Sequence, residues 1–449
     1  MSALMVPAGL ARACSKVGCA VAFLASSAIV CGSLVVSTAE PGATLADRPL
    51  IGALADPAIG YYSRATTDAL GDWNRKLADG SSQIVFDPIA GYLKPTLAAL
   101  HVPVESQMLV MSKTGIQGLH TAPDNPRAIY FNDVATVGYI RGAPLLEIAI
   151  QDPTQGIIFY TIDQKPAERP VFERREGCLT CHQAYATLHV PGMLERSVYV
   201  GKDGLALAQW GSFDPDDRSP FRQRWGGWYI TGTHGAMRHM GNAIVTGGNR
   251  DEILSDRTLD RASVEDSFDS KGYVSATSDI AALMVFLHQG RAMNLVTRIG
   301  WEARIAAQKG SLDLEHGALL NGIHELVDYF LFVDEEPIPS PIKGTSGFAE
   351  VFAKRGPVDG QGRSLRQLDL GHRLQRYPCS YMIYSPAFSA LPDAVRAAIY
   401  RRMWEVLSGH DSAPKYARLT EVDRRTVIEI LRGTLHDLPP EFLSSDLAR

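Results

Sequence analysis

Residues 176–185 read EGCLTCHQAY: Cys178 and Cys181 stand three apart, and His182 follows the second cysteine directly. Two thiols at this spacing can add to the two vinyl groups of one porphyrin from a single turn of chain. The adjacent imidazole then falls beneath the iron. With 6 Cys and 12 His in 449 residues, on the order of 0.002 such strings are expected by chance. Two other chemistries use parts of the same motif. A redox CxxC pair would open a helix in a βαβ unit, whereas strand-like segments lie on both sides here. A zinc site from Cys178, Cys181 and His189 is short of a fourth ligand and of a second CxxC. The expectation is one covalently attached haem c, with thioethers at Cys178 and Cys181 and His182 as the proximal iron ligand.

The sixth iron position separates electron transfer from small-molecule chemistry, because an occupied position exchanges electrons with little rearrangement and an open one binds ligands. Three residues are candidates. Met193, eleven residues beyond His182 in HVPGM, could bring a thioether round the porphyrin edge. His234 and His239 lie in GTHGAMRHMGN, where flanking glycines permit close backbone approach to a flat cofactor. Arg238, next to His239, could polarise a bound peroxide. The competing structural readings are a core methionine after a Pro-Gly turn and exposed imidazoles in a glycine-rich loop. His288 shares a helical face with Met284, Leu287 and Leu295 and reads as a core histidine. FDPDDRS, 213–219, gathers three aspartates without the spacing or glutamate of a calcium loop, so it reads as a solvated turn.

The elements that must carry these residues change character along the chain. Polar helical stretches over 61–77 and 92–100 are followed by QMLVMS, RAIYFND, ATVGYI, LLEIAI and GIIFYTID. These short runs of branched and aromatic residues, separated by Gly, Pro and Asp, predict strands. DPTQG predicts a hairpin connection, and RSVYVGKDGLALAQW a second hairpin turning at Lys-Asp-Gly. Beyond residue 275 the period becomes helical. Ser278 is the expected cap of a long helix stopped at Gly310, and GALLNGIHELVDYFLF the next helix. PDAVRAAIYRRMWEVLSG follows, and Thr420 with Asp423 makes a capping-box start to the last. The fold class expected is α+β, with a β-rich N-terminal half (40–260) carrying the haem motif and an α-helical C-terminal half (275–440).

Arg12 and Lys16 precede an apolar run from Val17 to Val36, and Ser37-Thr38-Ala39 offers small residues for cleavage. Residues 1–39 therefore predict a signal peptide or, uncleaved, an N-terminal membrane anchor; either exports the body to the periplasm or the periplasmic face of the inner membrane. Three cysteines, Cys178, Cys181 and Cys379, then remain, too few for a disulfide framework. The lone Cys379 reads as a buried small hydrophobe. A net charge of −5 and the absence of any long Lys/Arg run argue against a nucleic-acid partner. No phosphate-binding loop, dinucleotide fingerprint, HExxH or GxSxG is present.

Through CLTCH the chain resembles c-type cytochromes, and PRAIYFND and RWGGWYITGTHGAMRHMGN are similar to segments of large, uncharacterised bacterial cytochrome c domain proteins. The second resemblance covers most of the exported chain and implies no activity. The chain departs from small electron carriers in its length and in setting the haem motif among strands, so the compact cytochrome c fold is not implied. Two functions follow as expectations. The first is an exported single-haem cytochrome passing electrons to a redox partner protein. The second is a periplasmic haem oxidoreductase acting on peroxide or another small molecule.

Overall fold

The structure is a computed structural model that describes residues 44–247 and 260–443, all of them within the compact unit Ala39–Arg449. The expected leader, residues 1–39, lies outside the described residues, as does most of the charged segment before 260. Among the described residues nine strands form, most of them where branched and aromatic residues cluster. They are β1 Met108–Val110, β2 Arg127–Phe131, β3 Ala135–Tyr139, β4 Leu145–Asp152, β5 Gly156–Asp163, β6 Glu173–Arg174, β7 Ser197–Val198, β8 Ser212–Phe213 and β9 Trp228–Tyr229. Seven make one antiparallel sheet in the order β6-β5-β4-β3-β2-β1-β9, and β7 and β8 pair separately. The architecture is thus mixed, with the sheet in the N-terminal half and most of the helix in the C-terminal half.

The DPTQG hairpin forms as expected, joining β4 to β5 with Asp152 opposite Gly156. Asp152 organises the turn: one carboxylate oxygen accepts from the backbone N–H groups of Thr154 and Gln155, the other from the N–H and hydroxyl of Thr67. Gly156 takes φ +86°, which a side chain there would resist. The second predicted hairpin forms from Tyr199 to Leu207, where the Gly201 N–H donates to the Leu205 carbonyl and the Leu207 N–H to the Tyr199 carbonyl. The Ser197–Val198 strand instead pairs with β8, beyond the predicted second arm.

Side chains alternate across the sheet, so its faces differ in composition. One face carries Leu146, Ile148, Ile150, Ile158, Ile162 and Val137, all buried. The helices α1 (Ala69–Ala78) and α2 (Leu93–Ala99) belong to that side, and the Tyr160 hydroxyl donates to Asp68, the α1 cap. The other face carries Arg127, Thr136, Gly138, Glu147, Ala149, Phe159 and Thr161, in register across four strands. Thr136, Glu147 and Ala149 on it are only partly buried.

The short helix α3 (Leu179–His182) bears the cysteine motif, between β6 and β7. The long helix α4 spans Ile280–Gln308. Its cap is Asp279 and not Ser278: the Asp279 carboxylate accepts from the N–H groups of Ala281 and Ala282, whereas the Ser278 hydroxyl accepts from Leu109 of β1. A carboxylate also complements the positive end of the helix dipole, which favours Asp over Ser. An amphipathic face was expected, yet every residue from Ile280 to Gly290 is buried. The helix runs through the centre of the core, between the sheet and α5 (Gly317–Phe330), rather than over its surface. α6 (Asp393–Leu407) packs on α5, and α7 (Glu421–Thr434) on α6, with the Thr420–Asp423 capping box in place. Sheet and helices share one hydrophobic cluster. Among the described residues no helix is long and apolar enough to cross a membrane.

Candidate haem-attachment site

The CxxCH segment is a turn of 3-10 helix, Glu176–Cys178, running into α3. Cys178 is half-buried and Cys181 exposed, both as free thiols. Burial pushes the Cys178 thiol up to about 11. His182 packs its ring against Phe159 of β5, with centroids 4.8 Å apart. Its Nδ1 lies 2.9 Å from the carbonyl oxygen of Gly192. A carbonyl only accepts, so Nδ1 carries the proton and Nε2 presents its lone pair. Burial lowers the pKa of this imidazole, which keeps the ring neutral. A neutral histidine oriented through Nδ1 by a backbone carbonyl is the state in which Nε2 ligates a metal. Two thiols and one such imidazole, all on one turn at the protein surface, fit covalent haem.

The loop after His182 doubles back, and α4 holds it. Leu188 and His189 both take positive φ, an unfavourable conformation for residues with side chains. The Arg298 guanidinium donates to the Leu188 carbonyl. One turn earlier on α4, Asn294 accepts from the Met193 N–H at 2.9 Å and donates to the Met193 carbonyl at 2.8 Å. Gly192 is required between them: a Cβ there would lie 2.2 Å from the Asn294 side-chain oxygen. Asn294 and Arg298 thereby fix the carbonyl that orients His182.

Met193 borders a cavity of about 40 Å³ shared with Phe286, Leu287 and Gly290 of α4, and His182 is not among the residues lining it. Beside it Glu195 is buried, with neither carboxylate oxygen hydrogen-bonded, and burial pushes its pKa up to about 8. His234 and His239 follow β9, at the sheet edge opposite the β6 edge from which the CxxCH turn departs. Both are buried rather than exposed, and their Nε2 atoms lie 3.2 Å apart. Gly241 donates its N–H to His239 Nδ1, so the His239 proton sits on Nε2 and points at His234. Arg238 is exposed and folds back on the carbonyls of Ala236 and Met237. The structure therefore brings neither histidine to the cysteine motif.

The remaining histidine and aspartate readings resolve similarly. His189 Nε2 contacts the Ala46 carbonyl at 2.8 Å, and among the described residues no group of three or more His, Cys, Asp or Glu converges as a metal site. The FDPDDRS aspartates are not a solvated turn: Asp214 pairs with Arg196, Asp216 with Arg218, and Asp217 with His288. His288 is buried as expected, with Nδ1 2.7 Å from Asp217 and Nε2 2.7 Å from the Ser380 hydroxyl. Its ring lies between Tyr329 and Phe332. This Ser-His-Asp array has the distances of a nucleophile relay, but all three residues are buried and none borders a described cavity. It is a buried core network, with Asp217 Oδ1 left without a hydrogen bond. Cys379 is fully buried. No known family model, curated protein or solved structure matches this chain.

Proposed function

We propose that this protein is an exported single-haem c-type cytochrome, with haem c bound through Cys178 and Cys181 and ligated by His182, that passes electrons to a redox partner protein. The observation that carries the reading is the disposition of the motif: neutral His182 held through Nδ1 by the Gly192 carbonyl, on the same surface turn as both thiols. Cys181 is exposed, so the thioether edge of the cofactor would reach solvent, where a partner can approach. The bound haem would supply the one-electron chemistry. The chain's own part is to hold the imidazole neutral and oriented, and to enclose it against Phe159. The leader sequence and the ligation chemistry both support the periplasm, or the periplasmic face of the inner membrane, as the location.

Protein produced in an export-competent host with haem-ligation machinery should keep its colour through denaturation and acid–acetone extraction. Cys178→Ala with Cys181→Ala should lose it. Wild-type protein that extracts colourless overturns the proposal.

A second reading, a haem oxidoreductase acting on peroxide or another small molecule, draws on the placement of the sixth-ligand candidates. Met193 borders a cavity that His182 does not line, and His234 and His239 face each other beyond the far sheet edge. An iron without a strong sixth ligand is open to small molecules. Carbon monoxide separates the two readings: a closed low-spin ferrous spectrum that it barely alters supports electron transfer, and an immediate CO complex supports the oxidoreductase.

A further inference from the structure

The sheet face beneath His182 carries a strip of small side chains bordered by charge. Gly138 on β3 lies opposite Glu147 on β4, which lies opposite Thr161 on β5; Thr136, Ala149 and Phe159 make the neighbouring row. Arg127, at the start of β2, runs across this strip. Its Cδ is 3.9 Å from the position a Cβ of Gly138 would take, and its guanidinium fills the space beside Gly115. The absent side chain at 115 leaves room for the Arg127 guanidinium, since a Cβ there would lie 2.4 Å from one of its terminal nitrogens.

Arg127 is poorly satisfied where it lies. Among the described residues its only ion pair is with Glu147, at 3.4 Å, long for a charge-assisted hydrogen bond. Glu147 is already engaged, its other oxygen accepting from Gln117 at 2.8 Å. The Arg127 Nε is buried with no hydrogen-bond partner, and the side chain as a whole is 20% exposed. A buried guanidinium N–H without an acceptor costs free energy that an incoming carboxylate would recover.

The other charges around the motif are committed elsewhere. Arg175 donates to the Thr161 hydroxyl and pairs with Glu173. Arg196 pairs with Asp214 and is 42% exposed. Of Arg127, Arg175 and Arg196, Arg127 alone combines a buried, unused donor with a place on the small-residue strip.

Taking the haem reading as its premise, we propose that Arg127 receives a haem propionate, so that the porphyrin lies over the partly exposed Thr136, Glu147 and Ala149 with its carboxylate edge toward β2. Arg127 is then a cofactor-binding residue outside the CxxCH motif, holding the porphyrin by a second, electrostatic point. The bidentate fork of Arg suits a carboxylate, and a Lys would keep the charge but lose the fork.

The test uses exported holoprotein and three variants, Arg127→Ala, Arg127→Lys and Arg196→Ala, all quantified for covalent haem before any other measurement. Loss of a positive charge beside the cofactor favours the ferric state. Arg127→Ala should therefore lower the midpoint potential and shift the propionate bending band in the resonance Raman spectrum. Arg127→Lys should restore most of the potential but not the band, and Arg196→Ala should move both little. An Arg127→Ala protein with full covalent haem, wild-type potential and an unmoved band overturns the proposal. So does a larger effect of Arg196→Ala on both readouts. If Arg127→Ala does not fold, the Raman band of Arg127→Lys decides alone. Failure of the haem reading itself is separate, because it appears as wild-type protein without covalent haem.

Discussion

Asn294 gives the sharpest test of how the site is held. It lies on α4, more than a hundred residues from the motif, and its carboxamide makes both backbone hydrogen bonds of Met193. Asn294→Ala strands one buried N–H and one buried carbonyl. At about 1–3 kcal/mol for each unsatisfied group, the loss should be roughly 2–6 kcal/mol. The neighbouring 40 Å³ cavity has room for a water that could bridge one of the two, which favours the lower half of that range. Asn294→Asp keeps the acceptor for the Met193 N–H but sets a carboxylate oxygen against the Met193 carbonyl. It should be at least as damaging at neutral pH and should recover on acidification. The assay is urea denaturation of the exported protein followed by tryptophan fluorescence, with the haem spectrum recorded on the same samples. Because the Gly192 carbonyl moves with Met193, Asn294→Ala should also disturb the orientation of His182 and, under the proposed haem reading, its ligation of the iron. A variant within about 0.5 kcal/mol of wild type, the usual range for a neutral surface change, and with an unaltered haem spectrum would refute the claim that α4 positions the ligand.

Three further outcomes follow from buried groups. Folded Glu195 holds its proton up to about pH 8, whereas the unfolded chain releases it near 4.5, so the folded state binds the extra proton and stability falls as pH rises between those values. At about 1.4 kcal/mol per pH unit the loss reaches roughly 3 kcal/mol by pH 7. Glu195→Gln should flatten the pH dependence of the denaturation midpoint by one proton, leaving the contribution of Glu335, also raised to about 8; parallel curves for wild type and variant sink the assignment. His288→Ala abandons Asp217 and Ser380 in the core and should cost about 3–5 kcal/mol, while Ser380 in the native protein should ignore fluorophosphonate probes; saturable labelling of Ser380 would show a reactive nucleophile instead. In haem-free protein a thiol reagent should modify exposed Cys181 first, Cys178 more slowly and Cys379 only after denaturation, as mass spectrometry of timed samples would show.

The chemistry of the motif and the alternation of the strands were legible in one dimension, because both depend on local spacing. Cys178, Cys181 and His182 fall on one turn whatever surrounds them. The pattern of Ile, Val, Tyr and Phe in 127–163 specifies β2 to β5. The Thr420–Asp423 capping box likewise needs only its own four residues. Readings that depended on partners fared differently. His288 was recognisable as buried, but its bonds to Asp217 and Ser380 span 71 and 92 residues. The aspartates of FDPDDRS looked solvated because their partners Arg196, Arg218 and His288 are not all local. Ser278 and Asp279 are both good caps, and tertiary pairing of Ser278 with Leu109 decided between them.

The sequence by itself determined that two thiols and an imidazole fall on one turn, since their spacing along a helix is a property of covalent geometry. Only the tertiary structure decided which nitrogen of His182 is free, that Met193 is held by Asn294, and that the Nε of Arg127 lies without a hydrogen bond on the sheet beside the motif. Those outcomes rest on hydrogen bonds and steric gaps between strands and helices far apart in the chain. Asn294 meeting Met193 across 101 residues is the clearest case. A residue's type limits the bonds it can make, but which partner completes them is settled by long-range packing, when the core closes and water is excluded.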